Sequence, residues 1–597
     1  MVAASRFRIG SILGRRREYS HAAPLRLRVA AMLNRILIAA AFLATPFAAS
    51  AQPASPPPPP VAAGVVSSAD PRASAAGQEI LRAGGSAADA AMAMLVALTV
   101  VEPQSSGIGG GGFLLHHDGR SGAIATIDGR ETAPASAGPG LFLTPDGKPM
   151  PFMQAVPGGI SVGVPGNIRL MAKVHQRWGK LSWAKLFDPA IRLAEDGYTV
   201  TPPMARALAS VAGVWADFPE ARALYWDGDK PKAAGATVKN PRLAAFLRRL
   251  AAEGPDAFYT GENAAAIIET LASAPRNPAT MTPVDLAGYE AKDRPAICGA
   301  YRGYRVCGMG PPSSGAVTIL QMLGMLERFD MGRLGKDSPA AWHLIGEAMR
   351  LAYADRDKYL GDRDFVTAPV AGMIDPAYLR ARSSRLSERR TLGVYEAGTP
   401  PGASPRTAAI SSEVPATTHF VAADRDGDVV SMTSTVEGPF GSQLIANGYV
   451  LNNELTDFTF APEKDGAPVA NRVAAGKRPL SSMSPTIVYD PQGRVVLAVG
   501  SAGGRRIIMH VMKALVGVLD WKLPAAEALA LPNIFFNANG LLVEDGTTLS
   551  AMKPALEKLG ETVVAADVPS KLTAVERVGD GWRGAADPRS VGVALAE

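Results

Sequence analysis

The sequence predicts an α+β protein built as layers of antiparallel sheet covered by helices. Segments of alternating polarity, which read as strands, gather near residues 113–131 and again after Thr417. From about Val162 to Leu360 the apolar spacing is mostly helical. Strands and helices therefore come in blocks, which favours packed antiparallel layers. The chain has 597 residues, 47% of them apolar, enough for two lobes or one large layered domain.

The first element is a leader. "MLNRILIAAAFLATPFAASAQ" starts at Met32, with Arg35 as its charged region, an apolar run, and Ala49-Ser50-Ala51 as an A-x-A cleavage pattern. This predicts export to the periplasm or the medium, a start at Met32, and a leader spanning 1–51. The apolar run is too short to be a stable membrane span. Residues 1–51 hold eight Arg and one acid, Glu18, a net of +7, so the overall +6 leaves −1 for the remainder. The basic excess belongs to the leader, and no nucleic-acid partner is inferred from it. "QPASPPPPP" then opens a stiff, disordered tether, taken as residues 52–69.

"EILRAGGSAADAAMAMLVALTVVEP" reads as small-residue helices in tight packing, and "FLLHHDGRSGAIATIDGRE" as two strands joined by a turn. Residues 391–416 lack periodicity and are rich in Gly, Pro, Ser and Ala, as expected of an accessible segment. After Thr417 strands return, followed by a helix at "RRIIMHVMKALVGVL". The two cysteines, Cys298 and Cys307, lie in "CGAYRGYRVC". A two-residue turn at Arg302-Gly303 sets them directly across from each other. In an oxidising compartment they could bridge or stay as strand thiols, and the spacing leaves both open.

Several motifs do not carry the chemistry they suggest. Gly107-x-Gly109-x-x-Gly112 formally matches a dinucleotide fingerprint, but a helix precedes it and a strand follows, the reverse of the required order. His116 and His117 are strand neighbours that face opposite ways, so they cannot share an ion. Ser501 lacks the first glycine of a nucleophile elbow, since Val499 stands there. No cofactor and no metal ion is expected.

"TTHFVAADRDGDVVSMTSTVEGPFG" is a candidate hairpin. A two-residue turn at Asp426-Gly427 pairs positions summing to 853, while a three-residue loop with Gly427 left-handed pairs positions summing to 852. The second sets Thr417 opposite Thr435, with Glu437 nearby, and is preferred because it gathers a hydroxyl pair and a carboxylate. A threonine opening a strand is ordinary. If the Ala416–Thr417 bond is cut, its hydroxyl gains an adjacent α-amine of pKa roughly 7.7–8.0, a base suited to neutral pH.

The stretch resembles the γ-glutamyltransferases, also called glutathione hydrolases, of the N-terminal-nucleophile superfamily. "NNELTDF", "KRPLSSMSPTIV", "GSAGGRRII", "VEPQSSGIGGGGFLL", "IDGRETAP", "AIRLAEDGYTV", "PPSSGAVTILQML", "ADRDKYLGD" and "DPRS" all look like that family, in its order, over roughly residues 70–590. The resemblance implies a four-layer αββα sandwich and a precursor that cuts itself into a large subunit, 70–416, and a small one, 417–597, which stay together as a heterodimer. It implies that Thr417 cuts the chain and becomes the nucleophile, that Thr435 supports its hydroxyl, and that Gly503 and Gly504 form the oxyanion hole. Arg130 matches the α-carboxylate clamp, Ser481 and Ser482 the assisting hydroxyls, and Glu454 and Asp457 the acids for the α-ammonium. Glu437 matches a position that is Asn or Glu in the family. Two departures stand out. Ala502 replaces a frequent Pro, and "APEKDGAPVANRVAAG", where many members carry a lid, holds no Tyr or Trp.

The implied substrates are γ-glutamyl compounds such as glutathione, with water, amino acids or peptides as acceptors. The alternatives are an acylase for glutaryl-type cephalosporin side chains on the same fold, and a non-catalytic binding protein. The first lacks an α-ammonium for the three acids; the second leaves the Thr417, Thr435 and Gly503-Gly504 set without purpose.

Overall fold

A computed structural model describes residues 60–410, 414 and 416–597; the leader and most of the tether lie outside these. Two antiparallel sheets form the centre. The first runs in the order Val593–Ala596, Val65–Ser68, Thr418–Ala423, Val429–Thr435, Gly111–His117, Ile124–Gly129, Lys292–Arg294. The second runs Gly581–Ala586, Thr573–Val578, Val495–Gly500, Thr486–Tyr489, Tyr304–Gly308, Ile297–Tyr301.

Alternation along the strands builds the layers. On Thr418–Ala423, Phe420 and Ala422 point to the helices Pro71–Arg82 and Ala87–Val101. Val421 and Ala423 point the other way and pack with Ile487, Ala498 and Val575 of the second sheet. On that sheet's far face, Leu497 and Val499 meet the helices Gly315–Leu326, Pro339–Tyr359 and Ile507–Leu519. The result is the αββα sandwich. The helix Ala87–Val101 is buried on every side, and its alanines let sheet and outer helices approach closely. Its N-terminus is closed by a Ser86/Asp89 capping box.

One expected boundary needs correction. The tether expected over 52–69 ends earlier, because Val65–Ser68 is a buried strand between Thr418–Ala423 and the C-terminal strand. Two β-branched residues between two unpaired edges outweigh the disorder signal of the prolines before them.

The segments before and after Thr417 interleave. The first sheet takes four strands from before Thr417 and three from after it; the second takes two and four. A cut there would leave two chains bound through both sheets. Cys298 and Cys307 are cross-strand partners joined by a 2.04 Å S–S bond. Residues 391–410 form no helix or strand. Among the described residues no helix is long and apolar enough to cross a membrane.

Candidate active site

The hairpin adopts the register with Thr418 opposite Ser434 and His419 opposite Thr433, so the pairs sum to 852. Gly427 is left-handed at φ 87°, as a three-residue loop requires. Asp424 fixes the loop by accepting the Asp426 and Asp428 N–H groups at 3.0 Å, and its other oxygen accepts the Ala87 N–H at 2.9 Å. The hairpin is thereby tied to the start of the buried helix. Its open end brings Thr417 Oγ1 to 3.1 Å from Thr435 Oγ1. Thr435 Oγ1 already accepts the Glu437 N–H at 2.8 Å, which leaves its proton for Thr417.

Thr417 has φ 85° and Glu437 φ 77°. A β-branched residue in that region carries on the order of 1–3 kcal/mol of strain. The strain sits at the Ala416–Thr417 peptide. The glycine-rich run finds its explanation here. A Cβ at Gly110 would lie 1.9 Å from the Thr435 carbonyl, and one at Gly112 2.5 Å from that of Thr433. These glycines let a neighbouring strand close on the Thr435 strand.

Gly503 and Gly504 follow the strand Val495–Gly500 and precede the helix Ile507–Leu519. Gly503, at φ 131°, donates its N–H to the Ala416 carbonyl at 3.2 Å. That carbonyl belongs to the bond expected to be cut. The other end of the same peptide unit, the Ala502 carbonyl, lies 3.1 Å from His510 Nδ1. His510 is fully buried, and burial pushes its pKa well down, so the ring is neutral. With its proton on Nδ1 it donates to Ala502 and fixes the direction of the Gly503 N–H. His419, deeper between the sheets, is likewise held neutral by burial, its pKa pushed down to about 3. It bonds Thr433 Oγ1 at 2.8 Å.

Arg130 lies at the floor of the cavity beside Thr417, completely buried. Its guanidinium pairs with Glu454 through Nη1 and with Asp457 through Nη2, and donates to the Pro479 and Leu480 carbonyls at 3.1 and 3.0 Å. The expected carboxylate clamp and two expected ammonium acids therefore hold one another. Glu131, which the sequence reading passed over, adds a fourth buried acid to Glu437, Glu454 and Asp457. Burial raises its pKa to about 7 against the pull of Arg130, and burial holds Glu454 well above the carboxylate range. Glu437 accepts the Val414 N–H at 2.8 Å and the Asn453 side-chain amide. Val414 also lines this cavity.

Ser481 lines the cavity, and its Oγ accepts the Met483 N–H at 3.2 Å. Ser482 is buried away from the cavity, and its Oγ accepts from the buried Arg356 at 2.8 Å. Nine of the ten expected catalytic and substrate-binding residues thus meet around one opening or the adjoining Ala502–Gly504 loop, with Ser482 behind. Asn453 and His510 were not foreseen; like Glu131, each is ordinary until the fold places it.

The gamma-glutamyltranspeptidase family model matches residues 73–597. The chain belongs to that family. It is 35% identical to the glutathione hydrolase proenzyme of Escherichia coli strain K12 over 486 residues, 79% of this chain and 81% of that protein. It is 36% identical to the acylase ACY 1 proenzyme of Pseudomonas sp. strain SE83, over 74% of this chain and 77% of that one. Among solved structures, a cephalosporin acylase from Bacillus halodurans superposes with TM-score 0.79 at 26% identity, covering 92% of this chain and 99% of its own. A Helicobacter pylori γ-glutamyltranspeptidase gives TM-score 0.53 at 34% identity, covering 55% of this chain and 93% of its own. The fold is that of the N-terminal-nucleophile hydrolases.

Proposed function

We propose that this family member is exported, cuts itself between Ala416 and Thr417, and then cleaves γ-glutamyl amides, glutathione being the foremost donor. One observation carries the reading: Thr417 Oγ1 meets Thr435 Oγ1 at 3.1 Å while the Gly503 N–H holds the carbonyl of the preceding residue. In the uncut chain the Thr417 hydroxyl attacks the Ala416 carbonyl and Gly503 receives the developing oxyanion; the Ala416–Thr417 C–N bond then breaks as its nitrogen takes the hydroxyl proton, and water hydrolyses the resulting ester. After the cut the α-amine of Thr417 takes the hydroxyl proton, and the same donors serve the γ-carbonyl of the substrate. The amine leaves, a γ-glutamyl ester forms on Thr417, and water or an amine resolves it.

The charge balance favours a γ-glutamyl group over a glutaryl group. Three buried carboxyl groups, Glu131, Glu454 and Asp457, stand against one guanidinium, and Glu437 lines the same cavity. An incoming α-ammonium supplies the missing positive charge, and an α-carboxylate competes for the Arg130 fork. Measuring kcat/KM on γ-glutamyl-p-nitroanilide and glutaryl-p-nitroanilide tests this. The γ-glutamyl compound should lead by at least about tenfold, the lower range for one charged hydrogen bond. A preference for glutaryl would promote the acylase reading and leave the Thr417 chemistry standing.

A further inference from the structure

The Cys298–Cys307 disulfide takes no part in the chemistry above, and its two halves differ. Cys307 lies on Tyr304–Gly308, between two strands of the second sheet, and is fully buried. Cys298 lies on Ile297–Tyr301, the outermost strand of that sheet, and is only half-buried. Among the described residues no strand pairs with the outer side of Ile297–Tyr301. A cavity of about 600 Å³ is lined by Cys298, Gly299 and Ala300 of this strand. Ligand pockets run to about 300–1,000 Å³, so a tripeptide has room there.

A thiolate opens a disulfide by attacking one sulfur in line with the bond while the other leaves. For attack on Cys298 Sγ the approach lies on the side away from Cys307, which is the open edge of the sheet. Attack on Cys307 Sγ would have to come through the neighbouring strand Thr486–Tyr489. The bridge spans a sequence separation of 9, and short closed loops gain least from a cross-link. Charge is placed to match. Arg305 and Cys307 stand two apart on one strand and share a face, with Arg305 opposite Ala300 in the register. Arg305 is exposed, lies 4.0 Å over the Tyr489 ring and makes no ion pair among the described residues. A nearby guanidinium favours a thiolate and attracts a carboxylate. Glutathione, the donor proposed above, is a thiol with two carboxylates. Loss of its γ-glutamyl group leaves cysteinylglycine, a thiol with one.

We propose that Cys298 is a thiolation site for small carboxylate-bearing thiols, namely glutathione and the thiol released by its cleavage. The second source rests on the γ-glutamyl reading; the site does not. The thiol loses its proton and its sulfur attacks Cys298 Sγ. The new S–S bond forms as the Cys298–Cys307 bond breaks, and Cys307 leaves as a thiolate and takes up a proton. One disulfide replaces another, so no outside oxidant is needed. Return attack by Cys307 restores the bridge and releases the thiol.

The test incubates folded protein with glutathione, quenches it with N-ethylmaleimide in denaturant and maps the adducts by mass spectrometry. Wild type should carry the thiol on Cys298 and maleimide on Cys307. Cys307→Ser, which lacks the returning thiol, should form a stable adduct with oxidised glutathione, and Cys298→Ser should stay unmodified while folded. Adding Arg305→Ala to Cys307→Ser should slow that adduct at least about fivefold and leave the rate with neutral hydroxyethyl disulfide unchanged. Adduct mass separates the two sources: uncut Thr417→Ala should carry glutathione alone, and processed wild type cysteinylglycine as well. If wild type carries glutathione and hydrolyses none of it, the γ-glutamyl reading fails and the thiolation site stands. If γ-glutamyl-p-nitroanilide is hydrolysed but Cys298 stays unmodified in wild type and in Cys307→Ser, or the adduct sits on Cys307, the site is overturned.

Discussion

Replacing Arg130 by Lys separates shape from charge at the floor of the site. The guanidinium contacts Glu454, Asp457 and the carbonyls of Pro479 and Leu480 at once, with no exposure to water. A lysine ammonium keeps the charge but has three donors on one atom, so it cannot span both carboxylates and both carbonyls. At least one charged hydrogen bond is lost, about 1.5–3 kcal/mol. At about 1.4 kcal/mol per decade, kcat/KM on γ-glutamyl-p-nitroanilide should fall by about tenfold to a hundredfold. Steady-state kinetics on the processed protein reads this directly. A gel showing normal cleavage and a melting curve confirms that the variant is folded. Arg130→Ala is a poorer probe, because it leaves several buried acids without a cation and costs about 3–5 kcal/mol of stability. Activity within about twofold of wild type in a folded Arg130→Lys variant would refute the fork geometry.

Thr435→Val keeps the volume but removes the hydroxyl that meets Thr417 at 3.1 Å; cleavage in a timed gel and kcat should both fall about two- to tenfold, the range for a hydrogen bond between neutral groups. His510→Leu should lower kcat with little change in KM, by about tenfold or more given what one oxyanion donor is worth, while His510→Asn, whose amide can replace Nδ1–H, should recover most of it. Glu131 has its folded pKa raised to about 7 from an ordinary 4.5. The folded protein therefore holds this proton where the unfolded chain releases it, so stability from this group is full below about 4.5 and is lost as pH rises toward 7. The melting temperature of Glu131→Gln should gain on wild type across that window, and parallel curves would contradict the burial argument.

The sequence made the hairpin legible because Arg425-Asp426-Gly427 admits only two registers and chemistry chose between them. The positions of Arg130, Glu454 and Asp457 were legible through the motifs, but their mutual pairing was not. That pairing follows from burial, which no charge on a lone strand or loop announces. Glu131 is the clearest omission. It directly follows Arg130, where a surface acid is ordinary, and becomes buried because Gly111 and Gly163 leave room for it: a Cβ there would meet its side chain at 2.5 and 2.8 Å. His510 sits in an apolar helix run, and only the turn at Gly503 brings it under the Ala502 carbonyl. The strand Val65–Ser68 was hidden by the proline tract before it, since four residues are too few for alternation to register.

The central claim is that Thr417 becomes a free N-terminus. N-terminal sequencing of the smaller band of the purified protein measures this directly. The expected sequence is Thr-Thr-His-Phe, and Thr417→Ala should remain a single uncut chain. A different first residue, or an active enzyme that is never cut, would contradict it.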